Sequence, residues 1–311
     1  MHPAFSVIFF TVTSGAGLGL FALLYLVDVF KLGGGVSPDQ VLSIGILSLI
    51  MVAAGLMSSV FHLANPVNAW RAFSRYRTSW LSREGVFAMA FYPFAMLYIG
   101  FTAWDASYFD TSRKLAGAVG LLLAWITIFS TGMIYGCLKT IRQWNTPLVP
   151  LNYLLLGHMS GAMILLAMTA GSEGMNNALR GIVLMLLVVA AAMKGVYYYW
   201  IGYPRAMGST INTATGFTRA KVKILDQGHT HGTFLTQEFG YQVSRQLTWL
   251  LKAVVFAAAF VLPILLLAGV LGGASAGGAV ALVLFGLVVE RWLFFAEARH
   301  VINLFHGAQR C

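Results

Sequence analysis

The sequence is poor in charge and in cysteine. Charged residues make up 10% of its 311 residues, whereas 59% are hydrophobic. A soluble domain carries about 25% charged residues, so this chain has too few polar side chains to cover its surface in water. Its two cysteines, Cys137 and Cys311, supply neither a disulfide framework nor the spacing of an iron–sulfur cluster. These scarcities predict an integral membrane protein.

Positive charge exceeds negative charge, with a formal net charge of +10 and a sequence pI near 9.8. Nucleic-acid binding is the usual interpretation of such a balance. Here, however, the lysines and arginines lie between apolar runs and form no single basic patch. We therefore expect membrane lipid around the protein and no nucleic-acid partner.

Long apolar runs dominate the chain. They lie near residues 5–30, 40–62, 84–104, 115–138, 148–170, 179–200, 247–271 and 276–298. Each can supply a membrane-spanning helix of about 20 residues. The expected fold is an all-α integral membrane protein, a bundle of eight transmembrane helices forming a single domain over residues 1–311.

Small residues punctuate these runs at positions where two helices could approach closely in lipid. We expect helix packing to use Gly15, Gly17, Gly19, Gly117 and Gly120. Only the sixth link, residues 202–246, is long and polar, and it is the segment large enough to dock a partner.

Orientation follows from the positions of lysine and arginine, because short loops rich in these residues stay in the cytoplasm. The even-numbered links and the C-terminal tail carry most of them: Arg71, Arg75, Arg77, Arg83, Lys139, Arg142, Arg205, Arg219, Lys221, Lys223, Arg245, Arg299 and Arg310. The odd-numbered links carry Lys31, Arg113, Lys114 and Arg180. Both termini and the 202–246 loop are therefore predicted to be cytoplasmic.

Ionisable side chains inside a bilayer are read by default as functional candidates. His62 ends the second run and Glu84 begins the third, so both lie at the same membrane depth. A quinone that reacts there needs a titratable hydrogen-bond partner, a carboxylate that relays protons, and cations that stabilise developing negative charge. The residues alone leave an alternative equally open, in which His62 caps a helix and Glu84 pairs with a nearby arginine.

The same stretch resembles a known family. The pattern H-L-x-x-P-x-x-A from His62, an arginine at Arg75, and S-x-L-S-x-E ending at Glu84 are similar to the membrane anchor subunits of dimethyl sulfoxide reductase and its relatives. The resemblance implies an eight-helix, haem-free, quinone-reactive subunit. It would hold a molybdopterin catalytic subunit and an iron–sulfur subunit, with quinone bound by His62, Glu84 and Arg75.

Within this family, residues 1–8 and 13–17 near the N-terminus and the closing residues 290–295 resemble the branch that anchors a cytoplasmic sulfite-oxidising molybdoenzyme (SoeABC type). The resemblance implies electron flow from sulfite to quinone, with ubiquinone preferred, in a bacterial cytoplasmic (inner) membrane. Since the His62–Glu84 link is on the positive side, both partner subunits are expected on the cytoplasmic face. The alternative is an anchor of a dimethyl sulfoxide or related reductase that draws electrons from quinol.

Weaker candidates for the pocket or for a proton relay are Arg71, Trp80, Arg83, His158 and Glu290. His158, near the middle of the fifth run, could ligate a b-type haem, but we expect a hydrogen bond between helices and no haem. Glu290 could belong to a proton path or to an internal ion pair.

Other groups of residues carry weaker predictions. His229 and His231 alone make a poor metal site, and we predict no metal. The aromatic residues 197–200 and 203 suggest an interfacial belt. A secondary transporter remains the alternative from another class, but the chain shows neither the internal repeat nor the paired helix breaks that transporters often have.

Overall fold

The computed structural model describes residues 3–61, 63, 65–170, 173–202, 209–217, 219–226, 231, 233, 238–241, 243–269 and 276–311, without the side chains of 173–176. Within these described residues, eight helices are long and apolar enough to cross a membrane. They are α1 (Phe5–Val29), α2 (Pro38–Val60), α3 (Trp80–Asp105), α4 (Asp110–Gly136), α5 (Leu148–Met168), α6 (Glu173–Gly202), α7 (Arg245–Leu267) and α8 (Ala276–Ala296). Among the described residues there is no β-strand, so the predicted all-α bundle of eight helices is confirmed.

Serine side chains mark where several helices begin. Ser37 and Gln40 form a capping box ahead of α2, with Pro38 at the first helical position. Ser79 Oγ accepts a hydrogen bond from the Ser82 amide and starts α3, and Ser244 accepts one from the Leu247 amide ahead of α7. Each cap satisfies an amide that the first helical turn leaves without a partner.

Helix α1 is the centre of the bundle and contacts α2, α4, α5 and α8. Its closest approach is to α5, where a Cβ atom added at Gly19 would lie 2.1 Å from the carbonyl oxygen of Gly157. A Cβ atom at Gly161 would lie 2.3 Å from the amide nitrogen of Leu20. Backbone therefore packs directly on backbone, as small residues permit in lipid.

The predicted glycines lie at close helix contacts, in two different ways. Added Cβ atoms would clash at Gly17, Gly19, Gly117 and Gly120, whereas a Cβ atom at Gly15 would meet no described atom within 4 Å. Gly15 is close to α5 through its backbone instead, since its carbonyl oxygen would lie 3.0 Å from a Cβ atom at Gly157, and it also lines a cavity. The sequence pattern cannot separate these cases, because the direction in which a glycine faces depends on the helix packed against it.

The even-numbered links and the C-terminal tail meet at one end of the bundle, which we call the terminal face because α1 begins there and α8 ends there. In the fourth link, the Thr140 carbonyl accepts a hydrogen bond from the Val301 amide at 3.1 Å. In the sixth link, the Ser209 carbonyl accepts one from the Cys311 amide at 2.9 Å. An even number of spans requires this common side for both chain ends.

Candidate functional site

The second link (residues 61–79) folds back onto the start of α3. A 3₁₀ helix, Pro66–Arg75, packs on α3, and a Cβ atom at Gly85 would lie 3.2 Å from the Phe73 ring. The apolar side chains of Val67 and Trp70 are exposed on this helix. The second link therefore packs against Gly85, the residue after Glu84, and its surface is partly apolar.

Glu84 lies one turn after Trp80, about 6 Å along the helix axis from the start of α3. Its side chain turns into the bundle, where it is buried and accepts a hydrogen bond from the hydroxyl of Thr131 on α4. The single Thr131 hydroxyl proton is also within reach of the Thr127 carbonyl, 3.0 Å away on the same helix, so these two acceptors share it. In the part of the chain that the structure describes, Glu84 forms no ion pair with an arginine.

Trp80 and Arg83 pack against each other at the start of α3. The Arg83 guanidinium lies over the Trp80 ring at 4.4 Å and donates to the carbonyl oxygens of Tyr76 and Arg77 at 3.1 and 2.8 Å. On its other side, Trp80 meets the Phe129 ring edge-on at 5.9 Å. Arg83 thus holds the end of the second link by hydrogen bonds. These contacts explain the position of its side chain without a bound ligand.

The other residues predicted for this site lie on the second link. Arg71 and Arg75 are exposed, and Arg71 lies over the Trp70 ring at 5.7 Å. His62 lies outside the described residues. The structure thus places Glu84 inside the bundle beneath a link that carries exposed arginines, at the terminal face.

His158 lies apart from this group and joins α5 to α4. Its Nδ1 donates to the Leu154 carbonyl at 2.7 Å, and its Nε2 accepts from the Trp125 indole at 2.8 Å. Both ring nitrogens are therefore used, which leaves none to ligate a metal. This geometry is that of a hydrogen bond between helices.

Glu290 belongs to a buried ion cluster, which we define as Lys194, Glu290 and Arg291. The Lys194 ammonium contacts Glu290 Oε1, and Arg291 Nε lies 3.4 Å from Glu290 Oε2. All three side chains are buried. Two cations thus surround one carboxylate. Of the two roles that the sequence leaves open for Glu290, a proton path or an internal ion pair, this arrangement is the ion pair.

Lys194 is not among the site residues predicted from the sequence. It is the one lysine inside the apolar run 179–200, and an ionisable residue at such a position is itself the signal. Tyr197 and Tyr198 also differ from the prediction of an interfacial belt, because their rings lie 4.3 and 4.7 Å from the Lys194 ammonium. Tyr199 is exposed, as a belt residue would be, and Tyr203 lies outside the described residues.

A small cavity of about 20 Å³ separates the two polar groups and lies between α1, α4, α5 and α8. Thr131, the partner of Glu84, lines it from α4, and Arg291 lines it from α8. Tyr153 lines it from α5, with its ring 3.7 Å below the Arg291 guanidinium. The cavity therefore touches both a partner of Glu84 and a member of the ion cluster.

His229 lies outside the described residues, and His231 is exposed. Within the described residues, no three histidine, cysteine, aspartate or glutamate side chains come together as a metal site.

Comparison with known proteins gives a consistent result. The profile of the family described as DMSO reductase anchor subunit (DmsC) matches residues 1–297. The chain is also similar to a sulfite dehydrogenase subunit of Allochromatium vinosum, with 34% identity over 322 residues that cover 98% of this chain and 99% of that protein.

Proposed function

Because the chain belongs to the family of DMSO reductase anchor subunits, we propose that it passes electrons between a bound molybdoenzyme and quinone at the second link and the start of α3. The chain is a multi-pass membrane anchor subunit of an oxidoreductase complex of the DmsC and sulfite dehydrogenase type. The single observation that carries the quinone assignment is Glu84, a buried carboxyl group at the terminal face beside an arginine-bearing link.

In this proposal the substrate of the catalytic partner is sulfite. The similarity to the sulfite dehydrogenase subunit of Allochromatium vinosum along nearly the whole of both chains supports it. Sulfite and water give sulfate, two protons and two electrons. The partner's molybdopterin and iron–sulfur clusters would supply the path for these two electrons, and ubiquinone would take them up with two protons to become ubiquinol.

Three residues of this chain would act on the quinone. His62 would donate a hydrogen bond to one quinone carbonyl, Glu84 would deliver a proton, and Arg75 would stabilise negative charge as it develops. The exposed position of Arg75 and the buried position of Glu84 support this division of roles. One group faces the incoming headgroup, and the other holds a proton away from water.

The same proposal places both partner subunits on the cytoplasmic side of a bacterial inner membrane. The excess of arginine and lysine on the links of the terminal face supports it. The sixth link would form part of the docking surface. Its exposed Arg219, Lys221 and Lys223 would meet acidic groups of a partner, and its exposed Phe217 and Leu225 would meet apolar ones.

Replacing either residue of the proposed pair tests the quinone assignment. In the purified complex, we expect Glu84→Gln and His62→Ala each to lower sulfite-dependent ubiquinone reduction by about 10²-fold or more, the usual range for a lost general acid–base group. Sulfite oxidation with an artificial acceptor should stay at the wild-type rate, because the catalytic partner is untouched. Steady-state assays with both acceptors measure the split.

Asp39→Asn is the matched control, since Asp39 is an exposed carboxylate in the first turn of α2 at the opposite end of the bundle. It should leave both rates unchanged. If Glu84→Gln and His62→Ala turned over ubiquinone normally, the site would lie elsewhere.

The two cysteines test the orientation. Cys137 ends α4 at the terminal face and is exposed, so a membrane-impermeant maleimide should label it in inverted vesicles and not in intact spheroplasts. Cys311 should react much more slowly on the same side, because burial raises the pKa of its thiol and leaves less thiolate at a given pH. Gel-shift assays of Cys137→Ala and Cys311→Ala separate the two sites. Labelling of Cys137 from outside intact spheroplasts would reverse the orientation.

A further inference from the structure

We propose that the cavity between α1, α4, α5 and α8 is a binding site for ordered water, and that this water joins the Glu84–Thr131 pair to Arg291 of the ion cluster. The site itself stands on geometry alone. Its part in proton delivery to quinone rests on the proposed function.

The cavity has the size and enclosure that an internal water needs. Its volume is about 20 Å³, and a cavity needs roughly 10–15 Å³ to hold one water molecule. Its lining residues are buried, apart from partly exposed Gly15. A cavity of this volume excludes a quinone headgroup, so the site differs from the proposed quinone pocket.

The lining supplies the hydrogen-bond partners that hold a water in place. The Tyr153 hydroxyl is buried and has no hydrogen-bond partner among the described residues, although a buried tyrosine hydroxyl normally has one. The hydroxyls of Ser14 and Ser160 donate to carbonyl oxygens of their own helices, which leaves their lone pairs free to accept. A buried water typically makes about three hydrogen bonds, and this lining offers that number.

Charge on one side of the cavity orients such a water. Lys194 and Arg291 carry two positive charges against the single carboxylate of Glu290. Arg291 lines the cavity and so places the excess positive charge beside it. Thr131 lines the same cavity. The water oxygen would therefore face Arg291, and its hydrogens would face the hydroxyl that serves Glu84.

Tyr153→Phe removes one hydrogen-bond partner of such a water and keeps the ring that packs against Arg291. Tyr92→Phe is the matched control: its hydroxyl donates to the Leu49 carbonyl at 3.1 Å, and Tyr92 does not line the cavity. It therefore removes the same hydroxyl from another transmembrane helix, away from the cavity.

Infrared difference spectroscopy of the purified complex, sulfite-reduced minus oxidised, tests the site. An internal water gives an O–H stretching band that shifts in H₂¹⁸O. We expect this band unchanged in Tyr92→Phe relative to the wild type, and lost or shifted in Tyr153→Phe. Ubiquinone reduction by Tyr153→Phe should fall roughly ten-fold, less than for loss of a whole acid–base group, with artificial-acceptor activity unchanged.

Each outcome decides one part of the proposal. A wild-type spectrum without the band, or a band that is unchanged in Tyr153→Phe, would overturn the water site. Loss or shift of the band with normal ubiquinone turnover would overturn the coupling to Glu84. Should Tyr153→Phe fail to assemble, Ser160→Ala is measured in its place, with a shifted or weakened band expected and an unchanged one against the site. Normal turnover in Glu84→Gln would remove the quinone assignment and leave the water band intact.

Discussion

Glu290→Gln is expected to leave little assembled protein, whereas Lys194→Met should be tolerated far better. The difference follows from the composition of the ion cluster. Glu290 is fully buried, with Lys194 and Arg291 as its partners. Removing the carboxylate leaves two buried cations without the anion that contacts both, whereas removing the ammonium leaves the neutral pair of Glu290 and Arg291.

The expected losses of folding free energy differ clearly between the two variants. Breaking a buried ion pair by removing one partner costs about 3–5 kcal/mol, and two like charges left together add repulsion. Loss of the Lys194 hydrogen bond, which leaves Glu290 and Arg291 as a pair without net charge, costs about 1–3 kcal/mol. The double variant Lys194→Met with Glu290→Gln should be more stable than Glu290→Gln alone, because it buries one cation instead of two.

Thermal unfolding of the full chain as a fluorescent fusion, followed by size-exclusion chromatography, measures this order. Glu238→Gln, an exposed carboxylate of the sixth link, is the matched control and should behave as the wild type. If Lys194→Met proved as damaging as Glu290→Gln, or if the double variant were the worst of the three, the two-cation description of the cluster would be wrong.

The second large effect is expected at the crossing of α1 and α5. Gly19→Ala and Gly161→Ala should each prevent stable assembly, although each adds only a methyl group. The added carbon would lie 2.1 Å from a carbonyl oxygen in the first variant and 2.3 Å from an amide nitrogen in the second. Backbone atoms cannot move aside as a flexible side chain can, so the helices would have to separate.

The cost should exceed the roughly 1–3 kcal/mol of ordinary overpacking, since α1 packs against four other helices. Gly181→Ala on α6 is the control, because a Cβ atom there meets nothing within 4 Å. Yield of monodisperse protein after detergent extraction measures the effect. Wild-type yields of Gly19→Ala and Gly161→Ala would contradict the close crossing.

Hydropathy predicted the fold because the bilayer constrains it strongly. A chain with runs such as 5–30 and 276–298 must form helices in lipid, where every backbone polar group needs an internal partner. The boundaries differ mostly where polar residues continue a helix beyond its apolar stretch. Trp80–Asp105 begins before the predicted 84–104 because Ser79 caps the helix one turn earlier.

The surroundings of Glu84 could be predicted only in part. Its burial near a membrane surface follows from its position in the sequence, but its partner Thr131 lies on another helix. Which hydroxyl faces it depends on how α3 and α4 rotate against each other. The same holds for Tyr153 and Arg291, which meet across α5 and α8. Lys194, by contrast, could have been predicted as a site residue, because it is a charged residue within an apolar run.

Direct mapping of bound quinone tests the central claim, that the second link and the start of α3 form the quinone site. The measurement is photo-cross-linking of the purified complex with an azido-ubiquinone, followed by peptide mass spectrometry. We expect adducts within residues 58–85 that excess ubiquinone suppresses and that Glu84→Gln weakens. Adducts confined to another part of the chain or to a partner subunit, with none in that stretch, would contradict it.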